Sequence, residues 1–76
     1  MTISPNDTIR LTWRTKNKGK ARISQCGEFW KVKQIRDKII CKDDQKGPWL
    51  LVEAVGPQWD LRWIHQFDDK DFEIIV

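Results

Sequence analysis

The chain has 76 residues and a formal net charge of +3 at pH 7, a size that predicts one domain over residues 1–76. The apolar runs, at most four residues long, exclude a membrane-spanning helix. Residues 1–42 carry a net charge of +8 and residues 43–76 a net charge of −5. We therefore expect a dipolar surface that attracts a charged partner. The start of the chain shows no export signal, so we expect a cytoplasmic protein.

The first half of the chain alternates with a period of two, which predicts strands. Apolar Ile9, Leu11 and Trp13 alternate with polar residues, as in a strand with one buried face. A turn at residues 17–19 and a second strand over residues 20–24 complete a predicted hairpin. Residues 29–35 follow as a third strand, although Val32 and Ile35 share a face only if a bulge intervenes. Its register near residues 34–38 therefore stays open.

The second half predicts further short strands separated by turns. These strands cover residues 38–42, residues 49–55 and residues 59–63. Aspartates at residues 68–71 predict one helical turn, since carboxylates favour the start of a helix. Residues 72–76 would return as a closing strand. The pattern predicts a small all-β fold, a strongly bent antiparallel barrel or sheet of five to six short strands.

A helical turn before a short last strand resembles the SH3-like barrel in topology. The chain also bears a weak resemblance, over its whole length, to short cyanobacterial proteins of uncharacterised function. That resemblance implies no activity and supplies no site residues.

The most basic segment lies at residues 14–22. Its five cations occupy even positions, so an extended hairpin would place them on one side. Phosphates would relieve their mutual repulsion, whereas the alternative is a hairpin that lysines merely keep soluble. Lys31 and Lys33 of the third strand extend the predicted patch. The cations of the segment are Arg14, Lys16, Lys18, Lys20 and Arg22.

Exposed aromatic rings beside these cations would stack nucleic-acid bases. Trp30 is the predicted stacking residue, because either Phe29 or Trp30 faces outward, and Trp49 is the second candidate. Trp13, Trp59 and Trp63 follow the inward period and are assigned to the core of this small domain.

The remaining reactive residues predict no chemistry. Cys26 and Cys41 are expected to be free, buried thiols, with a disulfide between them as the alternative. His65 has no nucleophile near it in sequence, and the acidic residues 68–73 lack the spacing of a calcium loop. We expect no catalytic residue, metal or cofactor.

The sequence thus predicts a monomeric, non-enzymatic binding module whose partner is a polyanion, either RNA or single-stranded DNA. The alternative is a protein-interaction module that docks by charge onto an acidic partner or complex.

Overall fold

The computed structural model describes residues 2–40 and 45–75, which form an antiparallel sheet and one short helix. The elements, in chain order, are β1 (Thr8–Trp13), α1 (Gly19–Cys26), β2 (Phe29–Arg36), β3 (Trp49–Ala54), β4 (Leu61–His65) and β5 (Phe72–Ile75). The predicted small all-β fold is confirmed, with five strands in the described residues.

The sheet is open but strongly curled. Its strand order is β4-β3-β2-β1-β5, so β1 to β4 form a meander and β5 returns beside β1. In a flat sheet, strands about 4.8 Å apart would hold the edges β4 and β5 roughly 19 Å from each other. Instead, the guanidinium of Arg62 on β4 lies 5.0 Å from the ring centroid of Phe72 on β5. The sheet therefore bends until its edges approach, although no ladder closes it into a barrel.

The inner face of this curl holds the core. The register aligns Ile9, Trp30 and Ala54 across three strands, so that one row of side chains points inward. Burial of the apolar side chains on this inner face is the main source of stability for so short a chain. The buried cluster comprises Ile9, Leu11, Cys26, Trp30, Val32, Leu50, Val52, Ala54, Ile64 and Phe72.

The bulge that the sequence requires in β2 is present. Val32 pairs with Val52, and the next pair is Gln34 with Leu51, so the register shifts at Lys33. The extra residue returns Ile35 to the inner face, where it packs against the core.

The second predicted strand, over residues 20–24, is wrong, because this segment lies in α1. Both edges of β1 are already paired, with β2 and with β5, so a hairpin partner after residue 19 has no free edge to join. The Oγ1 of Thr15 accepts a hydrogen bond from the Gly19 amide at 3.0 Å and thereby stabilises the first turn. Gly27, with φ of 87°, ends the helix.

Gly19 allows α1 to lie close to the sheet. A Cβ at this position would collide with the backbone oxygen of Asp71 and with the Cβ of Trp13. Only glycine permits this approach, which fixes the first turn of α1 against β1 and against the segment before β5.

Two further predictions are wrong. Residues 38–40 form no strand, and Ile40 is exposed, whereas residues 41 and 42 lie outside the described part of the chain. Residues 68–71 form a turn that is not helical. The carboxylate of Asp69 accepts the amides of His65, Asp71 and Phe72 at 3.1 Å each and so takes the place of helical carbonyl acceptors. None of the described helices has the length and apolarity needed to cross a membrane.

Candidate polyanion-binding site

The predicted basic hairpin is wrong, since the five cations of residues 14–22 lie on a loop and on α1. Helical geometry turns successive residues by about 100°, so the even spacing no longer puts all of them on one side. Lys18, the residue just before α1, and Arg22, four residues later, point to one side of the helix, whereas Lys20 points away from that side.

Three of the five cations have partners within the protein: Arg14 and Lys20, and also Arg22, which pairs with Asp60. The Nε of Arg14 donates to the Phe72 carbonyl at 3.1 Å, and its Nη2 donates to the Phe67 carbonyl at 3.0 Å. The Nζ of Lys20 lies 5.6 Å from the ring centroid of Trp13. Arg14 thus ties β1 to the segment that joins β4 to β5, while Lys16 and Lys18 are exposed.

A groove of about 400 Å³ lies between α1 and the edge of the curled sheet. Lys18 and Arg22 enter it from α1, and Arg62 enters it from β4. Sequence reasoning missed Arg62, because no local pattern links it to residues 14–22 and only the curl of the sheet brings it there. The groove is lined by Asn17, Lys18, Ala21, Arg22, Gln25, Arg62 and Asp71.

One carboxylate lies between the two arginines of this groove. The Oδ2 of Asp60 is 2.9 Å from the Nε of Arg62 and 3.7 Å from the Nε of Arg22. Together with Lys18 and Asp71, three cations and two carboxylates surround the groove, a net of +1. Both contacts use Nε, and within residues 2–40 and 45–75 the Nη groups of these arginines have no hydrogen-bond acceptor.

The predicted stacking residue, Trp30, is wrong. Its side chain is fully buried on the inner face, where its Nε1–H donates to the Gly27 carbonyl at 3.0 Å. Trp49, the second candidate, is also buried and donates to the Gln45 carbonyl. Because Phe29 precedes Trp30 in the strand, its ring points to the outer face of the sheet, opposite the core, and is 56% exposed.

The assignment of Trp59 to the core is likewise wrong, because this side chain is 65% exposed. β4 begins only at Leu61, so the alternation of side chains that was expected to turn Trp59 inward does not extend to this residue. The Nε1–H of Trp59 donates to the Oε2 of Glu53 at 3.0 Å on the outer face. Trp13 and Trp63 are half-buried.

Lys31 and Lys33 lie on the outer face with Glu53 between them and β4. Glu53 is the direct cross-strand partner of Lys31, and its Oε1 is 3.9 Å from the Nζ of Lys33. This carboxylate offsets part of the lysine charge. The basic and acidic halves of the chain therefore meet in space, as they also do where the Nε of Arg22 lies 3.7 Å from the Oδ2 of Asp60.

His65 is buried, and its ring nitrogens contact backbone groups. Nδ1 accepts the amides of Phe67 at 3.2 Å and Asp68 at 3.0 Å, so the proton resides on Nε2, which donates to the Lys46 carbonyl at 2.8 Å. His65 thus holds two loops together. Cys26 is a free, buried thiol, and Cys41 lies outside the described residues. No three His, Cys, Asp or Glu side chains converge as a metal site in the described ranges.

Comparison of the chain with protein-family models, with curated proteins and with solved structures gives no match. The resemblance to cyanobacterial proteins and the likeness to SH3-like barrels therefore stay predictions. Function has to be inferred from the geometry and charge of the residues themselves.

Proposed function

We propose that this domain is a non-enzymatic module that binds the phosphate backbone of a nucleic acid, RNA or single-stranded DNA, in the groove beside α1. The observation that carries the proposal is the convergence of Lys18, Arg22 and Arg62 from two separate elements on one groove. A planar guanidinium presents paired N–H donors that match phosphate oxygens, and two of the three cations are arginines.

The charge balance favours this side of the molecule over the outer face of the sheet. We call Lys16, Lys18, Lys20, Arg22 and Arg62 the basic surface. Lys18, Arg22 and Arg62 line the groove, whereas Lys16 and Lys20 lie outside it, and the five cations against the carboxylates of Asp60 and Asp71 give this side a net of +3. On the outer face, three cations (Arg10, Lys31, Lys33) meet two carboxylates (Glu28, Glu53), a net of +1. A polyanion is therefore attracted more strongly to the basic surface.

The groove also offers neutral donors. Asn17 and Gln25 line it, and neither side chain makes a hydrogen bond within the described part of the chain. Their amide groups can donate to phosphate or sugar oxygens, which positions a backbone without reading its sequence. Lys16 and Lys20 lie outside the groove and add to its positive field, which salt screens over about 10 Å at 0.1 M.

The experiment is a titration of fluorescently labelled single-stranded RNA of mixed sequence, read by anisotropy at several salt concentrations. A protein that binds phosphates through counterion release loses affinity linearly in log[salt]. The double variant Lys18→Gln/Arg22→Gln removes two phosphate contacts, so we expect the slope to fall in magnitude by about 1.4. The control, Lys38→Gln/Lys46→Gln, makes the same charge change in the connection between β2 and β3.

Equal losses of slope and affinity in the two double variants would overturn the site, because the binding would then follow net charge alone. If heparin binds as tightly as RNA and neither ligand depends on Arg22, the phosphate-binding function is wrong. The alternative, charge docking onto an acidic protein, would then be the one to pursue.

A further inference from the structure

Trp59 is a large aromatic ring fixed in place on the surface. The side chain is 65% exposed, yet its single polar atom is held by the carboxylate of Glu53 at 3.0 Å. Exposed tryptophan surface is unfavourable in water, and the hydrogen bond restricts the ring without burying it. A ring that is both exposed and held in one orientation can stack with a planar group of a ligand at little cost, because the side chain loses little conformational entropy on contact.

Trp59 precedes β4, the strand that borders the groove, and lies on the opposite face of the sheet from the groove. The Asp60 carbonyl accepts the Ala54 amide at 2.9 Å, which extends the β3–β4 ladder by one pair and points the Asp60 side chain to the inner side, toward Arg22 and Arg62. Consecutive residues of an extended chain face opposite sides, so Trp59 points outward. Because β4 is an edge strand, a ligand can pass from the groove to the ring around a single strand.

A second exposed ring continues this surface. Phe29 lies on the outer face, and its carbonyl accepts the Val55 amide at 3.1 Å, so it adjoins the hairpin that carries Trp59. Glu53 also holds the Nζ of Lys33 at 3.9 Å, which places a cation near the indole. The outer face thus carries two exposed rings and a cation, reached from the groove around the β4 edge.

We propose that Trp59, followed by Phe29, stacks the bases of a single-stranded nucleic acid whose phosphates lie in the groove. The inference rests on the proposed function and adds that the ligand is single-stranded, because paired bases in a duplex present no free faces to a ring. Stacking tolerates every base, so binding is not sequence-specific.

The test compares single-stranded RNA with the corresponding RNA duplex in the anisotropy titration. We expect Trp59→Ala to weaken single-strand binding by about tenfold while leaving duplex binding unchanged. The salt slope should stay as in the wild type, because the phosphate contacts are intact. Trp59→Phe keeps a stacking face and should retain most of the affinity, even though it loses the bond to Glu53.

Phe67→Ala is the matched control. This ring is 61% exposed, close to the value for Trp59, but it lies in the connection between β4 and β5, next to Asp68. We expect no change in affinity. The stacking inference is wrong if Trp59→Ala binds single strands as tightly as the wild type does, or if it loses affinity for the duplex to the same extent. In either case, salt-dependent binding by the wild type would leave the proposed function intact. If the wild type binds neither RNA at low salt, both are wrong.

Discussion

The sequence predicts that Trp30 is an exposed stacking residue and that Trp59 lies in the core, but the structure shows the reverse. Replacing each ring tests this difference. Trp30 is fully buried among the core residues and donates its Nε1–H to Gly27, whereas Trp59 is 65% exposed. Trp30→Phe and Trp30→Ala should therefore act on stability, while Trp59→Ala should act on binding.

The magnitudes follow from burial. A buried Trp→Ala change costs about 3–5 kcal/mol, and the Gly27 carbonyl loses its donor as well. At about 0.05–0.15 kcal/mol per residue, the whole domain is stable by roughly 4–11 kcal/mol, so Trp30→Ala removes about a quarter of that stability or more. Trp30→Phe keeps one ring and should cost about 1–3 kcal/mol. Trp59→Phe should cost about 0.5 kcal/mol or less, as is usual at exposed sites.

The assay is urea unfolding followed by far-ultraviolet circular dichroism, which reports the loss of the sheet and does not rely on tryptophan fluorescence. With a slope of about 1 kcal/mol per molar urea, Trp30→Phe lowers the midpoint by about 1–3 M and Trp59→Phe by about 0.5 M or less. Equal midpoint shifts in the two variants, or a wild-type midpoint for Trp30→Ala, would refute the assignment of Trp30 to the core.

Three further predictions concern the contacts that shape the site. Gly19→Ala should lower the free energy of unfolding by about 1–3 kcal/mol, and the urea midpoint with it, because the new Cβ meets the backbone of Asp71 and the Cβ of Trp13; an unchanged midpoint would contradict this close approach. Asp69→Ala should destabilise the protein by about 2–3 kcal/mol, since three backbone amides lose their acceptor. In the same unfolding assay, the stability of Asp69→Asn, which keeps one oxygen acceptor, should lie between those of the wild type and Asp69→Ala. Cys26 should resist alkylation in the native protein and react in urea, as mapped by mass spectrometry; rapid native labelling at Cys26 would argue against its burial.

Much of the sheet was predictable from the sequence, because its apolar residues alternate strongly. The alternation in β1 fixed its buried face, and the spacing of Val32 and Ile35 required the bulge that the structure contains. The same alternation applies to Trp30, which shares a face with apolar Val32, whereas Phe29 shares a face with Lys31 and Lys33. The prediction of Trp30 as the exposed ring went against this pattern, and the cross-strand row of Ile9, Trp30 and Ala54 places it in the core.

The candidate site was only half predictable. Residues 20–24 alternate like a strand over too few positions to exclude a helix, and the absence of a free edge on β1 settles the matter only in the folded sheet. Lys18 and Arg22 were named from their charge, but Arg62 joins them only because the sheet curls. No pattern near Arg62 in the sequence carries that information.

The most direct test of the account is nuclear magnetic resonance of ¹⁵N-labelled protein titrated with single-stranded RNA at low and at high salt. We predict that the Nε–H signals of Arg22 and Arg62 and the indole N–H of Trp59 shift together at low salt and return toward their free positions as salt rises. The indole N–H of Trp30 should stay in place, because it is buried and bonded to Gly27. RNA-induced shifts confined to other surfaces, with the Arg22, Arg62 and Trp59 signals unmoved, would contradict the proposed site.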